Sequence, residues 1–164
     1  MTENVNERTI RWDDPAPALA IVRSSSGLAA MQAWLAGDLP APPIGKLMNM
    51  RLVEVEHGRV VFEGEPGEEH YNPIGLVHGG FALTLMDSAL GCAVHTALDA
   101  GVGYTTTDTQ VRFIRAITKA TGIVRCEGII QHVGRTTAVA HGTLVDRNGK
   151  LLATGTSGCA IIRS

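Results

Sequence analysis

The chain has 164 residues, a formal net charge of −2 and 18% charged side chains, with no cluster of Lys and Arg. That balance argues against a nucleic-acid backbone or an anionic membrane surface as partner. A hydrophobic content of 45% is enough for one domain to bury its own core without a metal or a covalent staple.

Cys92, Cys126 and Cys159 are far apart, odd in number and outside any Cys-x-x-Cys spacing, so neither a disulfide framework nor a zinc site is expected. A reducing cytoplasm fits this usage best. The first 14 residues are polar and carry Glu3, Glu7, Arg8, Asp13 and Asp14, unlike the basic and then apolar start of a signal peptide. No run approaches the roughly 18 apolar residues of a membrane-spanning helix.

Residues 1 to about 23 read as a loosely ordered arm. A short amphipathic helix follows from about Ser26, with Leu28, Met31 and Leu35 at helical spacing, and stops at Gly37-Asp38. The connector Leu39-Pro40-Ala41-Pro42-Pro43 cannot continue a helix, because proline lacks the N–H and restricts the residue before it. From Leu47 the pattern is strand-like, and with the turn at His57-Gly58 and a second stretch from Arg59 to Gly64 it predicts a hairpin.

Pro66, Gly67, Pro73 and Gly75 make residues 65–77 a loop. A helix is expected from Gly79 to about Leu98, its apolar residues covering nearly the whole circumference, as in a helix buried inside a fold. Strand-like stretches follow at 104–114, 122–133 and 136–145, then an Asn148-Gly149 hairpin turn and a last strand at 151–162. A strand run of this length after one apolar helix predicts an α+β architecture, an antiparallel sheet wrapped around one long central helix. The expected division is an arm at 1–43 and a sheet-and-helix domain at 44–164. The sheet's edges predict self-association, at least as a dimer.

Between Phe81 and Leu98 only Asp87 and His95 ionise in the acidic to neutral range. Aspartate is a poor residue for a helix interior, and burying an ionised one is costly, so Asp87 needs a reason to be there. Either it caps another element or lies on an exposed stripe, or it does chemistry. Gly79-Gly80 stands at the expected N-terminus of the same helix, where free N–H groups and the helix dipole can receive an oxyanion, although a tight loop-to-helix turn would also use glycines. Gly80 and Asp87 are seven residues apart, or about 10 Å along the axis at ~1.5 Å per residue. They cannot both touch one carbonyl. If they act in one reaction, one must come from a second subunit, across a two-fold axis.

The segment Asn72-Pro73-Ile74-Gly75-Leu76-Val77-His78-Gly79-Gly80, followed by Leu85-Met86-Asp87, resembles the PaaI-like acyl-CoA thioesterases of the hot-dog superfamily. Thr106-Thr107-Asp108-Thr109-Gln110-Val111-Arg112-Phe113 and the ending from Asp146 to Gly155 extend the resemblance, which covers roughly residues 45–162. It implies a hot-dog fold and hydrolysis of an acyl-CoA to a carboxylate and free CoA. No cofactor is implied, coenzyme A being part of the substrate, and no metal.

By the same resemblance, Asp87 is the general base or nucleophile, the Gly79 amide polarises the thioester carbonyl with Gly80 beside it, and Asn72 positions water or the carbonyl. His78 holds the loop, and Thr106 orients the attacking water. Gly91 departs from relatives with a hydroxyl one turn after the carboxylate, a loss for which Thr106 is the expected compensation. Arg115, Lys119 and Arg135 are the candidate cations for the CoA phosphates, Arg135 first among them. A homotetramer built as a dimer of dimers is the expected assembly.

Read from the residues alone, Asn72 is equally an Asn-Pro turn residue, His78 a structural histidine and Thr106 an ordinary β-branched strand residue. There is no Gly-x-Ser-x-Gly elbow, and His70, His78, His95, His132 and His141 show no metal-ligand spacing. Two rival functions remain within the same fold. One is a non-catalytic acyl-CoA-binding or regulatory protein, against which the carboxylate at Asp87 speaks. The other is a hydratase, whose Asp and His arrangement ahead of the helix is not found.

Overall fold

The computed structural model describes residues 5–163. Six strands form one antiparallel sheet in the order β1-β2-β4-β5-β6-β3. In chain order they are β1 (Met50–Glu56), β2 (Arg59–Gly64), β3 (Val102–Phe113), β4 (Val124–Val133), β5 (Thr137–Asp146) and β6 (Leu151–Arg163). The helices are α1 (Ala16–Ser24), α2 (Gly27–Ala36), α3 (Pro43–Leu47) and α4 (Gly79–His95). The architecture is α+β, with α4 lying against β2, β3, β4, β5 and β6.

The side chains of Phe81, Leu85, Met86, Leu90 and Val94 on α4 meet Val60, Phe62, Val124, Cys126 and Leu144 of the sheet in one core. Burying each large apolar side chain stabilises the fold by about 1.5–3 kcal/mol. Three glycines let the sheet close so tightly on the helix. Gly128, Gly142 and Gly155 are cross-strand partners on β4, β5 and β6. A Cβ on Gly128 would lie 2.3 Å from the Ala89 carbonyl oxygen, and one on Gly142 would lie 3.0 Å from the Leu90 side chain.

Three helices precede the sheet where one was expected. α1 occupies part of the segment read as a loose arm, with Pro15 as its N-cap and Pro17 in its first turn. The first turn is where proline costs nothing, since its missing N–H has no helical partner. α2 starts and stops as expected, capped by the Ser26 hydroxyl, which accepts from the Ala29 amide, and by Gly37 at φ 86°. It is seated closely on the end of α4. Gly27 donates to the Leu98 carbonyl at 2.9 Å, and a Cβ there would collide with the His95 carbonyl oxygen at 1.7 Å.

The first strand begins at Met50, three residues later than expected, because residues 43–47 make the short α3 and Asn49 turns the chain with φ 48°. Nor is α4 apolar all round in the single chain. Its buried faces leave an open stripe on which Leu83 and Asp87 are exposed, with Thr84, Ser88, Cys92 and His95 half-buried beside them. No helix among the described residues is long and apolar enough to cross a membrane.

Candidate active site

Asp87 projects from the middle of α4 on the open stripe, toward the inner face of β3. Thr106 Oγ1 donates to Asp87 Oδ1 at 2.9 Å, and Thr109 Oγ1 donates to the same oxygen at 3.3 Å. Side chains alternate along a regular strand, so residues three apart point to opposite faces. Here an extra residue lies between Thr106, which pairs with Cys159, and Asp108, which pairs with Gly158. This β-bulge resets the alternation and turns both hydroxyls toward the helix.

Behind them Thr109 Oγ1 is 3.3 Å from Ser157 Oγ, and the buried Ser157 donates to the Asp108 carbonyl at 2.9 Å. Both threonine hydroxyls fall on Oδ1. Neither hydroxyl is bonded to Oδ2. Thr109 and Ser157 were missed in the sequence, and only knowledge of the bulge could have added Thr109 to the expected Thr106.

The loop before α4 is shaped by Asn72 and His78. Asn72 Oδ1 accepts from the amides of Ile74 and Leu76, each at 3.1 Å, which makes it the Asn-Pro turn residue that its position suggested. Its side-chain amide forms no hydrogen bond among the described residues. His78 is the N-cap of α4, its Nδ1 accepting from the Gly80 amide at 2.9 Å, while its own amide donates to the His70 carbonyl at 2.7 Å.

The Gly80 N–H is therefore occupied. The Gly79 N–H has no acceptor among the described residues and opens into a cleft of about 380 Å³ lined by Asn72, His78, Phe113 and Arg115. Of the two glycines only Gly79 offers a free donor at the positive end of the helix.

The three candidate cations do not converge in one chain. Arg115 lines the cleft and donates to the Leu151 carbonyl at 2.7 Å. Lys119 is nearby, paired with Glu68 at 3.1 Å across a loop that also joins the Lys119 amide to the Tyr71 hydroxyl. Arg135 sits at the other end of the sheet. Its carbonyl accepts from Arg163, the partner of Val102 at the start of β3, whereas the Gly79 loop meets Phe113 at the strand's far end.

Gly91 is accounted for by its neighbour. A Cβ there would stand 3.0 Å from the Tyr104 ring, so the aromatic side chain fills the space that a hydroxyl-bearing residue would use. Burial pushes the Cys92 thiol up to about 12 and raises the Tyr104 hydroxyl well above its ordinary value. A thiol so held is a poor nucleophile. No group of three or more His, Cys, Asp or Glu among the described residues is placed to hold a metal ion.

The model of the Thioesterase superfamily matches residues 74–153, a span that includes Gly79, Asp87, Thr106 and Thr109. Over that stretch, 80 of the 164 residues, the chain is similar to the thioesterase superfamily. A Saccharolobus solfataricus protein with a provisional esterase name is 29% identical to it over 124 residues, 76% of this chain and 86% of the relative.

Among solved structures, the E. coli PaaI protein from the phenylacetic acid degradation operon matches with a TM-score of 0.71 and 17% identity, covering 85% of this chain and 96% of PaaI. A Streptococcus mutans protein solved with acetyl-CoA bound gives a TM-score of 0.63 at 24% identity, over 71% of this chain and 92% of that one. Likeness at this identity establishes the hot-dog fold. The matched stretch contains both the open stripe carrying Asp87 and the start of α4 at the Gly79 cleft.

Proposed function

We propose that the protein hydrolyses an acyl-CoA thioester to the carboxylic acid and CoA, with Asp87 and Gly79 contributed by different subunits of a dimer. The observation that carries this reading is the Asp87 carboxylate itself, held through Oδ1 by Thr106 and Thr109 and with Oδ2 free of both. Oδ2 is the atom that either removes a proton from water or attacks the thioester carbon. The Gly79 N–H receives the carbonyl oxygen as it gains charge. Collapse of the tetrahedral intermediate expels the CoA thiolate without a dedicated general acid, giving the acid directly when water attacks and, when Oδ2 attacks, an acyl–Asp87 anhydride that water then cleaves to the acid and the free carboxylate.

Geometry within one chain supports the division between subunits. Gly79 and Asp87 are eight residues apart on one helix, or about 12 Å at ~1.5 Å per residue, too far to meet at one carbonyl. β3, with twelve residues, is an edge of the sheet, and a long open edge of this kind is a template for pairing. Antiparallel pairing of β3 with its copy runs the start of each α4 back along the partner's helix. It also brings Arg135 from the Val102 end of one chain to the Phe113 end of the other, where the cleft lies. Arg135, Arg115 and Lys119 would then surround the CoA phosphates. The Streptococcus mutans protein solved with acetyl-CoA supports the choice of ligand.

Replacing Asp87 with Asn keeps size and hydrogen bonding but removes the base. The expected result is a folded protein that has lost thiol release from acyl-CoA by at least a thousandfold. Unchanged turnover would remove Asp87 from the reaction and leave acyl-CoA binding without catalysis as the better reading.

A further inference from the structure

The arm outside the family match builds a second cavity. α1, α2 and the proline-rich connector enclose an apolar pocket of about 350 Å³ against the last turns of α4 and the start of β3, with Ala18, Met31, Trp34, Cys92, His95 and Tyr104 on its walls. An apolar cavity of about 150 Å³ suffices for benzene, so this one takes an aryl group or a medium aliphatic chain.

The pocket continues the candidate site. Cys92 and His95 lie on the same open stripe as Asp87, five and eight residues further along α4, and Tyr104 precedes Thr106 by two residues on the same inward face of β3. Those steps correspond to roughly 7–12 Å. From a thioester carbon held at Asp87, a tail of moderate length reaches it.

Resting on the acyl-CoA reading above, we infer that this arm-lined pocket is the acyl-tail subsite and selects uncharged, apolar acyl groups of medium size. Asp13 is the one Asp, Glu, Lys or Arg in the lining. Burial holds the Cys92 thiol and the Tyr104 hydroxyl protonated and lowers the proton affinity of the His95 ring, so all three are neutral at neutral pH. Neither ring nitrogen of His95 has a hydrogen-bond partner among the described residues. Asp13, the single carboxylate in the lining, would repel an acyl chain that ends in a carboxylate. α1 and α2 lie outside residues 74–153, so the arm's side of the pocket is not part of the stretch matched to the superfamily, whereas Cys92, His95 and Tyr104 are.

α1 contributes no buried residue, so it tolerates filling substitutions without loss of the fold. The test compares kcat/KM for acetyl-, octanoyl- and succinyl-CoA in the wild type, Ala18→Trp and Val22→Trp, both positions on the α1 wall of the pocket, with octanoyl- and acetyl-CoA binding measured by calorimetry in the same proteins. The wild type should prefer octanoyl over both others by at least tenfold, and each tryptophan should cut the octanoyl-to-acetyl ratio by tenfold or more. If the wild type cleaves acyl-CoAs but these ratios do not move, the pocket assignment is overturned while the activity stands. If the wild type releases no thiol, the activity is overturned, and calorimetry decides the pocket. Octanoyl-CoA binding tighter than acetyl-CoA binding and lost in Ala18→Trp upholds the subsite, and affinity independent of the chain overturns it.

Discussion

The hydroxyl of Thr106 donates to the carboxylate of Asp87 at 2.9 Å, joining the edge strand of the sheet to the middle of its central helix. A hydrogen bond to a charged group contributes about 1.5–3 kcal/mol, which corresponds to roughly 10–100-fold in rate when the bond positions the reacting group. Thr106→Val should therefore lower kcat by that factor with little change in folding, and Thr106→Ser should restore most of it. Thr109, at 3.3 Å and shared with Ser157, should show a smaller loss on change to Val. Equal activity in Thr106→Val and wild type would mean that the bond only decorates the carboxylate.

Stability depends on the glycine row beneath α4. An added methyl at Gly128 meets the Ala89 carbonyl at 2.3 Å and the Leu90 amide at 2.9 Å, both backbone atoms that cannot rotate away. Overpacking a core costs about 1–3 kcal/mol when side chains can give. Gly128→Ala should reach or exceed about 3 kcal/mol in urea unfolding, since the helix itself must move. A loss below 1 kcal/mol would show that α4 is not held so close to β4.

A third prediction concerns acid. Burial lowers the proton affinity of His95 in the folded chain, and that of His70 likewise, so the unfolded chain takes up these protons first as the pH falls through the ordinary value of 6.5. Stability is then fully present above that value and declines as the pH drops below it toward the folded-state values. Urea midpoints at pH 8 and pH 5.5 should show this decline in the wild type. His95→Phe, which also removes two unpartnered ring nitrogens, should show a smaller one. An identical decline in both proteins would assign the acid sensitivity to other groups.

Much of this arrangement is legible in the order of residues. The switch from an apolar run at Phe81–Val94 to alternating stretches separated by turns gives one helix and an antiparallel sheet, and Gly79-Gly80 marks the start of the helix. Three things are hidden. The segment of α1 reads as part of a loose arm, although Pro15 and Pro17 stand where a first turn accepts them. The bulge between Thr106 and Asp108 leaves no mark in composition, and without it Thr109 points to the wrong face. Whether Asp87 is exposed depends on which face of the helix meets the sheet, a property of packing that the apolar stretch around it leaves open.

The division of the site between subunits can be tested without a structure of the complex. Asp87→Asn removes the carboxylate. Gly79→Pro removes the free amide at the first position of α4, where proline is tolerated and the exposed Phe113 ring, 3.0 Å from the new Cβ, can move aside. Each variant alone should be inactive. Mixed and allowed to exchange subunits, half of the dimers combine one of each. In such a dimer one site joins Asp87 of the Gly79→Pro chain to the Gly79 amide of the Asp87→Asn chain, and the other site lacks both. One intact site in half of the dimers gives about a quarter of wild-type activity for statistical exchange. If both groups act within one chain, no mixture recovers any activity, and the dimeric site must be abandoned even if Asp87 remains essential.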